Sequence, residues 1–353
     1  MLNRSLTEGA SVHGKRGVLR SDENVAQPHK TDSQKPAECP QKSVPQKFPC
    51  AEPLREILRE APFLPTIRAA VEAGGKVKAA ATPEVEIVIP VFNQLDYTRN
   101  CLASLRQSAG LRARVVVIDN GSTDGTAEYL AGCADVTVIR NLENRGCAVA
   151  WNQGVKATTA EWVVVLNNDV LVTKGWLKGL LGSAVTADLD VVTPAMREGL
   201  LNYELEPYAQ EFVRAAGGAI RLGVADGVCF MVRRRVFEKI GLFDENFRIG
   251  VFEDTDFFER ARQAGFKLGS TGRSFIHHFG SVTQKAIRLK NSCGEYEQEN
   301  RIYFRKKWRL SQIQRWVSRF KRKTRAVLWS LRERRQFGHT LRERWRRDRL
   351  VYY

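Results

Sequence analysis

The chain has 353 residues, of which 43% are hydrophobic and 27% are charged, and its formal net charge is +17. This length and composition exclude a fully disordered chain and favour one large folded domain with appendages. Residues 301–353 hold 19 Lys and Arg and three acids, so they carry +16 of the +17. The basicity therefore belongs to a C-terminal tail and not to the rest of the chain.

The seven cysteines are odd in number and include no CxxC pair. This argues against a disulfide framework or a structural zinc site and fits a reducing cytoplasm. The N-terminus lacks the apolar stretch of a signal peptide, and no apolar run approaches the roughly 18 residues of a membrane span. We expect a cytoplasmic protein, peripheral at most on the inner face of the cell membrane.

The first 82 residues contain two segments of different composition. Residues 1–50 are polar and rich in Ser, Lys, Gln and Pro, which predicts disorder. Residues 51–82 have apolar side chains at helical spacing, and Pro62 and Pro65 interrupt the pattern. This second segment is predicted to form two short helices that lead into the core.

Strands and helices alternate from Val85 onward. The strand "VEIVIPVFN" precedes the helix "YTRNCLASLRQSA", and "ARVVVIDNGSTDGT" precedes "AEYLAGC". The strand "VTVIRN" then precedes "AVAWNQGVKATT", and "EWVVVLNND" is a fourth strand. This alternation predicts an α/β fold with a mostly parallel central sheet flanked by helices.

Polar residues follow the predicted strands where each one ends. Asn93, Asp119 and Asn120 follow the first two strands, and "VVLNNDVLV" (164–172) places Asn167, Asn168 and Asp169 inside an apolar run. Buried polar side chains without partners are costly. Ligands of parallel sheets bind beyond the carboxyl ends of the strands, so these residues are predicted to face a ligand crevice. Alone, "VVVIDNGSTDGT" also fits a strand followed by a simple turn.

The combination of "IPVFN", "IDNGSTDGT", "NRGCAVAWNQG" and "LNND" resembles the family 2 glycosyltransferases, over roughly residues 85–308. The resemblance implies the GT-A fold and a donor that is a nucleotide-diphosphate sugar, UDP- or dTDP-linked. It also implies which residues line the nucleotide-sugar pocket. They are Pro90, Phe92, Asn93, Asp119, Arg145, Asn152, Asn167 and Asn168. Asp119 would accept the ring N–H of uracil or thymine, whereas Arg145 fits a solvated loop equally well.

"NND" stands where the resemblance implies an acidic D-x-D motif. A hard divalent cation that neutralises a departing diphosphate prefers oxygen ligands. Asn167 offers only a neutral carbonyl, so Asp169 is the expected anionic ligand of Mn²⁺ or Mg²⁺. The alternative is a polar strand end with an Asx turn.

Two later segments complete the expected site. "FEDTDFFERARQAG" resembles the family's catalytic region, which makes Asp254 the expected base and Glu253 its neighbour or replacement. Acids at a helix start are also favourable through capping and the helix dipole alone. "HHFGSVT" resembles an H-x-G-S-x-S/T stretch, in which His278, or failing it His277, joins Asp169 on the metal; imidazole ligation would favour Mn²⁺.

The tail mixes arginines with Trp316, Phe320, Val327 and Leu331, which fall on one helical face. A basic amphipathic helix suits an anionic membrane surface. The same pattern also fits nucleic acid or a helix that packs on a partner protein. We expect the membrane surface and no nucleic acid, because the resemblance implies acceptors that are often lipid-linked.

The sequence thus predicts 1–50 as disordered, 51–82 as a helical lead-in, 83–309 as a GT-A domain and 310–353 as a basic amphipathic helical tail. The resemblance implies an inverting transfer of a sugar to a hydroxyl of a glycan or lipid-linked acceptor in cell-surface polysaccharide synthesis. Two other hypotheses are a non-catalytic nucleotide-sugar-binding module, which Asn167 permits, and a nucleic-acid-binding protein, which the tail suggests.

Overall fold

A computed structural model describes residues 85–108, 113–290, 295–346 and 349–352. The two N-terminal segments expected at 1–50 and 51–82 lie outside the described residues, and they stay predictions.

The described residues form eleven strands and ten helices. The strands are β1 (Val85–Val91), β2 (Arg114–Asn120), β3 (Thr137–Asn141), β4 (Trp162–Leu166), β5 (Val170–Val172), β6 (Val191–Glu198), β7 (Ile220–Leu222), β8 (Cys229–Arg233), β9 (Leu268–His278), β10 (Arg342–Arg346) and β11 (Arg349–Tyr352). The helices are α1 (Leu95–Gln107), α2 (Thr126–Ala131), α3 (Cys147–Lys156), α4 (Trp176–Thr186), α5 (Leu205–Ala216), α6 (Arg234–Ile240), α7 (Glu253–Gln263), α8 (Val282–Lys290), α9 (Glu295–Lys307) and α10 (Gln312–Phe337).

Four parallel strands, in the order β3-β2-β1-β4, form one half of the central sheet. Helices α1, α2 and α3 connect them along the chain, as the alternating pattern predicts. In this register Val91 pairs with Asp119, so the carboxyl ends of β1 and β2 lie side by side. The parallel core expected from the sequence is therefore confirmed.

The other half of the sheet is mixed. Strand β8 is antiparallel to both β4 and β6, and β6 also pairs in parallel with β9 and β10. Strands β5 and β7 add to β9 in the antiparallel sense. This arrangement carries β9, with its two histidines, to a position beside β5, which directly follows the "NND" triplet.

Side chains of both sheet faces are buried. Ile87, Val164 and Leu166 belong to one apolar core, whereas Val88 and Val165 belong to a second one. Neighbouring residues of a strand point to opposite faces, so both faces of these strands are covered, as in other parallel sheets. This explains why β1, β2 and β4 read as continuous apolar runs.

The tail is not helical throughout, which corrects the expectation for 310–353. Helix α10 begins with a capping box of Ser311 and Gln314 and ends at Gly338, whose φ of 74° suits glycine. Strands β10 (Arg342–Arg346) and β11 (Arg349–Tyr352) follow, and β10 pairs with β6. The central sheet therefore extends beyond residue 309, because a strand that pairs in register becomes part of it.

Candidate active site at the carboxyl edge of the sheet

A cleft lies at the carboxyl ends of the parallel strands, where the sequence pattern predicts a ligand. Four residues that line it follow strands β1 and β4 directly; they are Phe92, Asn167, Asn168 and Asp169. The opposite wall comes from residues 249 and 281–287. Asn120, which the sequence predicts at the crevice, lines the same cleft together with Pro90 and with Asn144, which was not predicted.

Asn93 and Asp119 organise the loops after β1 and β2. Asn93 has a left-handed φ of 56°; its N–H donates to Ser122 Oγ over 2.8 Å, and its Oδ1 accepts from Thr123 N over 2.7 Å. Buried Asp119 accepts from Ser122 N through Oδ1 over 2.9 Å. Within the described part of the chain its Oδ2 accepts no hydrogen bond, and Arg140 Nε lies 3.5 Å away. Asp119 thus keeps an acceptor atom for a ligand.

Asn120 holds the "NRG" loop against the sheet. Its amide nitrogen donates to Asn144 Oδ1 over 2.9 Å, and its oxygen accepts from the backbone N–H of Arg145 over 3.1 Å. The side chain of Arg145 is exposed beside the cleft, so its role in nucleotide binding stays a prediction. The side chain of this buried asparagine makes four hydrogen bonds, which fix the loop firmly. Its position at a strand end was the available sequence signal.

Asn152 does not reach the cleft, which corrects its expected place in the nucleotide-sugar pocket. Its amide nitrogen donates to Phe243 O over 2.9 Å and to Glu245 Oε1 over 2.8 Å, and its oxygen accepts from Phe243 N over 2.9 Å. These bonds satisfy its hydrogen-bonding groups inside the core. Asn152 therefore connects α3 to the segment after α6.

The three polar residues of "NND" face different surroundings. Asn167 is half-buried in the cleft wall, and its backbone N–H donates to Val228 O over 3.0 Å. The amide of Asn168 turns back and donates to Thr98 Oγ1 on α1 over 3.0 Å, so it reaches the cleft without offering this donor to a ligand. Asp169 accepts from Val282 N through Oδ2 over 3.0 Å. The triplet thus has one structural and two cleft-facing members.

Asp169 and His278 form a buried pair of donor atoms. Asp169 Oδ2 lies 3.3 Å from His278 Nε2, and both side chains are almost inaccessible. Burial raises the pKa of Asp169, but His278 and the Val282 N–H outweigh it and the pKa is lowered. Burial conversely lowers the pKa of His278, but Asp169 outweighs it and the pKa is raised. Such a pair either shares a proton or holds one cation, because both compete for the same lone pairs.

This pair fits a divalent cation that also binds the substrate. Mg²⁺ and similar ions often take one or two protein ligands and complete their shell with phosphate oxygens and water. Within the described residues, no group of three or more His, Cys, Asp or Glu side chains could hold a metal ion. A metal on Asp169 and His278 would therefore rely on diphosphate oxygens.

His277 lies on the other face of β9. Its Nδ1 is 2.9 Å from the hydroxyl of Tyr203. Burial is the main reason that the pKa of His277 is lowered to about 3, so the ring is neutral. Adjacent strand residues point in opposite directions. The structure accordingly brings His278, and not its neighbour, to Asp169.

Glu253 and Asp254 begin α7 near Cys147, a residue that lines the cleft and whose thiol pKa is raised first by burial and then by both acids. Burial, and then the carboxylate of Asp254, raises the pKa of Glu253 to about 8. Burial also raises the pKa of Asp254, whose Oδ1 accepts from Thr255 N over 2.7 Å. A Cβ on Gly227 would lie 2.2 Å from Asp254 Oδ2, so only glycine lets that carboxylate rest against the backbone. Perturbed carboxyl groups at a cleft are typical of catalytic acids and bases.

Asp226 is a charged residue near Asp254 and His278 that was not predicted. It precedes Gly227, which contacts Asp254, and Val228, which bonds to Asn167. After burial, the Asp226 carboxylate contributes to the raised pKa of Asp254, and it also contributes to that of His278. Residues 226–228 therefore run between the Asp254 side and the Asp169 side of the cleft. The signal in the sequence was weak, because "ADG" before a strand also suits an ordinary turn.

A larger cavity of about 620 Å³ lies elsewhere, between α1, β2 and the start of α4. Apolar side chains such as Leu102, Leu105 and Trp176 line most of it. Of its three charged members, Arg106 and Asp135 are paired with each other at 2.6 Å, and the third is Lys178. The polar strand ends are not part of its lining, so we place the functional site at the smaller cleft.

Residues 86–241 match the family model described as glycosyl transferase family 2. The segment contains the strand-end residues of β1, β2 and β4 together with β8, which holds Val228 beside Asn167. The chain carries a family 2 glycosyltransferase domain. Its α/β core, with four parallel strands and helices on both faces, is the fold expected for a GT-A protein.

The chain is similar to the pre-mycofactocin glycosyltransferase of Mycobacterium tuberculosis, with 29% identity over 55% of this chain and 42% of that protein. It thus spans less than half of that relative's length. It is also similar to the glycosyltransferase AglE of Haloferax volcanii, with 23% identity over 59% of this chain and 72% of that protein. A solved mannosyltransferase from Pyrobaculum calidifontis, in complex with GDP-Man and Mn²⁺, aligns at 20% identity over 59% of this chain and 60% of that chain, with a TM-score of 0.44.

Proposed function

We propose that the protein is an inverting glycosyltransferase. It would move a sugar from a nucleotide-diphosphate donor to a hydroxyl of a glycan or lipid-linked acceptor in cell-surface polysaccharide synthesis. One observation carries the proposal: segment 226–228 contacts Asp254 through Gly227 and bonds through Val228 to Asn167, two residues before Asp169, the partner of His278. A base on one side and a diphosphate site on the other are what in-line displacement at a sugar carbon requires.

The nucleoside would lie at the ends of β1 and β2. Asp119 Oδ2 is a buried acceptor, and uracil and thymine both present a ring N–H donor. Pro90 and Phe92 line the adjoining cleft and offer apolar surface to the base. We therefore favour a UDP- or dTDP-linked sugar as the donor.

The diphosphate would lie against Asp169 and His278. A divalent cation, Mn²⁺ or Mg²⁺, would neutralise the charge that develops on the leaving group. Asp169 and His278 would be its protein ligands, and the Val282 N–H keeps the Asp169 carboxylate oriented. Because Asn167 offers no charge, we expect the protein to bind the metal weakly without the nucleotide.

Asp254 would accept the proton of the acceptor hydroxyl. Its Oδ2 lies beside Gly227 of segment 226–228. After burial, both acids raise the thiol pKa of Cys147, and the contribution of Glu253 is larger than that of Asp254. The raised pKa of Asp254 makes the carboxylate a stronger base than an exposed aspartate. We infer that Asp254, and not Glu253, is the catalytic base.

Substitution of Asp254 tests this assignment. Asp254→Asn keeps the shape of the side chain but cannot accept a proton, so transfer should fall about 10²–10⁴-fold while donor binding persists. Glu253→Gln is the matched control, since it changes the adjacent acid, and its loss should be smaller. If Asp254→Asn turns over normally and Glu253→Gln is inactive, the base is Glu253. If both remain active, this site does not perform the transfer.

A non-catalytic nucleotide-sugar-binding module is the competing hypothesis. It explains Asn167 but leaves the perturbed acids Glu253 and Asp254 without a purpose. A protein that binds nucleotide sugars but yields no transferred product or free nucleotide with any acceptor, under conditions where donor binding saturates, would favour this alternative.

The exposed apolar face of helix α10 suggests where in the cell the protein would bind its acceptor. Its exposed apolar residues project from one face; they are Ile313, Trp316, Phe320, Val327, Leu328 and Leu331. Glu333 lies on the opposite face and is buried in an ion pair with Arg221, 2.7 Å apart, which joins the helix to the body of the protein. The apolar face therefore points away from the sheet. None of the helices in the described part of the chain is long and apolar enough to cross a membrane.

We propose that this face rests on an anionic membrane surface at the cytoplasmic side. The helix holds nine Lys and Arg and one acid, so an anionic lipid layer complements its charge, and its aliphatic and aromatic side chains can enter the layer. Pairing of two such helices would bring like charges together. Nucleic acid would complement the charge but would leave the aliphatic side chains in water.

Vesicle binding tests the membrane proposal. Trp316→Ala with Phe320→Ala removes a stacked pair of rings, with centroids 6.0 Å apart, from the exposed face. Binding to phosphatidylglycerol vesicles should fall at least tenfold, because each large apolar side chain contributes about 1.5–3 kcal/mol when buried. Val185→Ala, an exposed apolar residue on α4, is the control. Unchanged vesicle binding by the double variant would overturn the proposal.

A further inference from the structure

Strand β10 brings an arginine to the site from outside the family 2 domain. The matched domain ends at residue 241, whereas Arg342 begins β10 and pairs in register with Met196 of β6. The register also places Glu198 of β6 between His278 of β9 and Arg344 of β10. Residues two apart on a strand share a face, so Arg342 lies on the same sheet face as Arg344, Glu198 and His278.

The guanidinium of Arg342 is buried and faces Asp226. Its side chain is 9% exposed, and its Nη2 lies 3.5 Å from Asp226 Oδ2 and 3.5 Å from Thr193 Oγ1. A charge taken out of water requires a partner of opposite charge. Asp226 supplies one, and Arg342 in turn restricts the positions that the Asp226 carboxylate can take.

Asp226 retains the capacity to bind a ligand. Its Oδ1 accepts from Val228 N over 3.1 Å. Its side chain is 31% exposed, whereas that of Arg342 is buried. A carboxylate has about four acceptor positions, and these contacts do not fill them. Hydroxyl groups of a sugar are donors that suit the remaining positions.

The position of Asp226 indicates that the sugar it would bind is the one carried by the donor. In the proposed reaction the transferred sugar lies between the leaving diphosphate and the base. Residues 226–228 occupy that interval, since Val228 bonds to Asn167 and Gly227 contacts Asp254. A side chain of this segment that reaches the cleft therefore meets the sugar of the donor before it can meet the nucleoside.

We infer that Asp226 binds a hydroxyl of the sugar being transferred and that Arg342, from the C-terminal strand, is the positioning residue that holds Asp226 in place. This inference rests on the proposed function. It means that β10 completes the donor site in addition to extending the sheet. The ligand class is a hexose or deoxyhexose carried on a nucleoside diphosphate.

Binding measurements separate the sugar from the nucleotide. Calorimetry would compare UDP and dTDP with UDP-glucose, UDP-N-acetylglucosamine and dTDP-rhamnose, all with Mn²⁺, on the full chain. The wild type should bind one nucleotide sugar more tightly than its nucleoside diphosphate. Asp226→Asn should lower the affinity for that nucleotide sugar about tenfold or more, because it weakens a hydrogen bond to a charged group. It should leave the affinity for the nucleoside diphosphate unchanged.

A double-mutant cycle tests the role of Arg342. Arg342→Lys should weaken nucleotide-sugar binding in the wild-type background and have no further effect in the Asp226→Asn background, because a residue that acts through another is not additive with it. Arg342→Lys is preferred to Arg342→Ala because it keeps a positive charge beside Asp226 and so disturbs the fold less. Arg346→Ala, on the same strand and exposed, is the matched control and should bind as the wild type does.

The possible outcomes are distinct. If the wild type binds none of the nucleotides, the proposed function fails and this inference fails with it. If the wild type binds but Asp226→Asn retains full sugar-dependent affinity, only the inference fails. Additive effects of Arg342→Lys and Asp226→Asn, or an equal loss of nucleoside diphosphate and nucleotide sugar, would overturn the positioning role.

Discussion

The loop that presents the two acids of α7 depends on one buried side chain, and its removal gives a sharp prediction. Asn300 of α9 accepts from Arg248 N over 3.0 Å and donates to Arg248 O over 2.9 Å and to Gly250 O over 2.8 Å. The loop includes Ile249 and Val251, whose φ values of 59° and 78° are unfavourable for β-branched residues. Such conformations persist only where the surroundings hold them.

Asn300→Ala should therefore destabilise the protein and impair the site. Each of the backbone groups that loses its partner costs about 1–3 kcal/mol if it stays buried, and relaxation of the strained loop recovers part of that cost, so we expect about 2–4 kcal/mol. For a domain of this size that corresponds to a fall in melting temperature of roughly 4–16 °C. Asp254 follows the loop directly, and displacement by about 1 Å can cost about 10²-fold in rate.

Thermal unfolding and turnover of Asn300→Ala, measured beside Glu299→Ala, check this reasoning. Glu299 is on the same helix and pairs with Arg248 at 2.9 Å, but that ion pair is exposed, so its loss should change the free energy of unfolding by at most about 1 kcal/mol. If Asn300→Ala and Glu299→Ala melt alike and turn over alike, the loop does not depend on Asn300 and the reasoning is wrong.

Three further predictions concern other buried charges. Burial and the neighbouring Asp254 raise the folded-state pKa of Glu253 to about 8, so the folded protein holds this proton more tightly than the unfolded chain does, and wild-type stability should fall between about pH 4.5 and pH 8. Glu253→Gln should flatten that fall. Equal pH profiles of the two proteins in thermal unfolding would contradict the prediction. Glu333→Ala leaves Arg221 buried beside α10 with one partner fewer and should cost about 3–5 kcal/mol in denaturant unfolding, against less than about 1 kcal/mol for the exposed pair partner Glu161→Ala. Asp169→Ala should abolish the Mn²⁺ binding that calorimetry detects in the presence of UDP or dTDP. If the nucleotide-free protein binds Mn²⁺ tightly and Asp169→Ala does not weaken that binding, the metal assignment is wrong.

Local sequence determined the parallel half of the fold and the strand-end residues around the cleft. The continuous apolar runs of β1, β2 and β4 require burial on both faces, which only a covered parallel sheet provides. Once those strands are parallel, their carboxyl ends must share one edge. Phe92, Asn120 and Asp169 therefore line one cleft, because a two-residue periodicity and chain direction are local properties.

Only the tertiary structure decided which of two similar side chains faces the site. His277 and His278 look equivalent in the sequence, but the register of β9 against β5 and β6 turns one to Asp169 and the other to Tyr203. Asn152 looks like a pocket residue, yet its amide closes hydrogen bonds with a segment 91 residues away. Register and distant pairing are not written in a local pattern.

The tail shows the same division. The capping residues, the basic composition and the apolar stripe of α10 follow from spacing along the chain, and the sequence by itself predicted a basic amphipathic helix there. Arg342 of this tail lies beside Asp226 because β10 pairs with β6, about 146 residues away in sequence. Such a contact depends on the free energy of the complete sheet, and a basic segment by itself does not predict it.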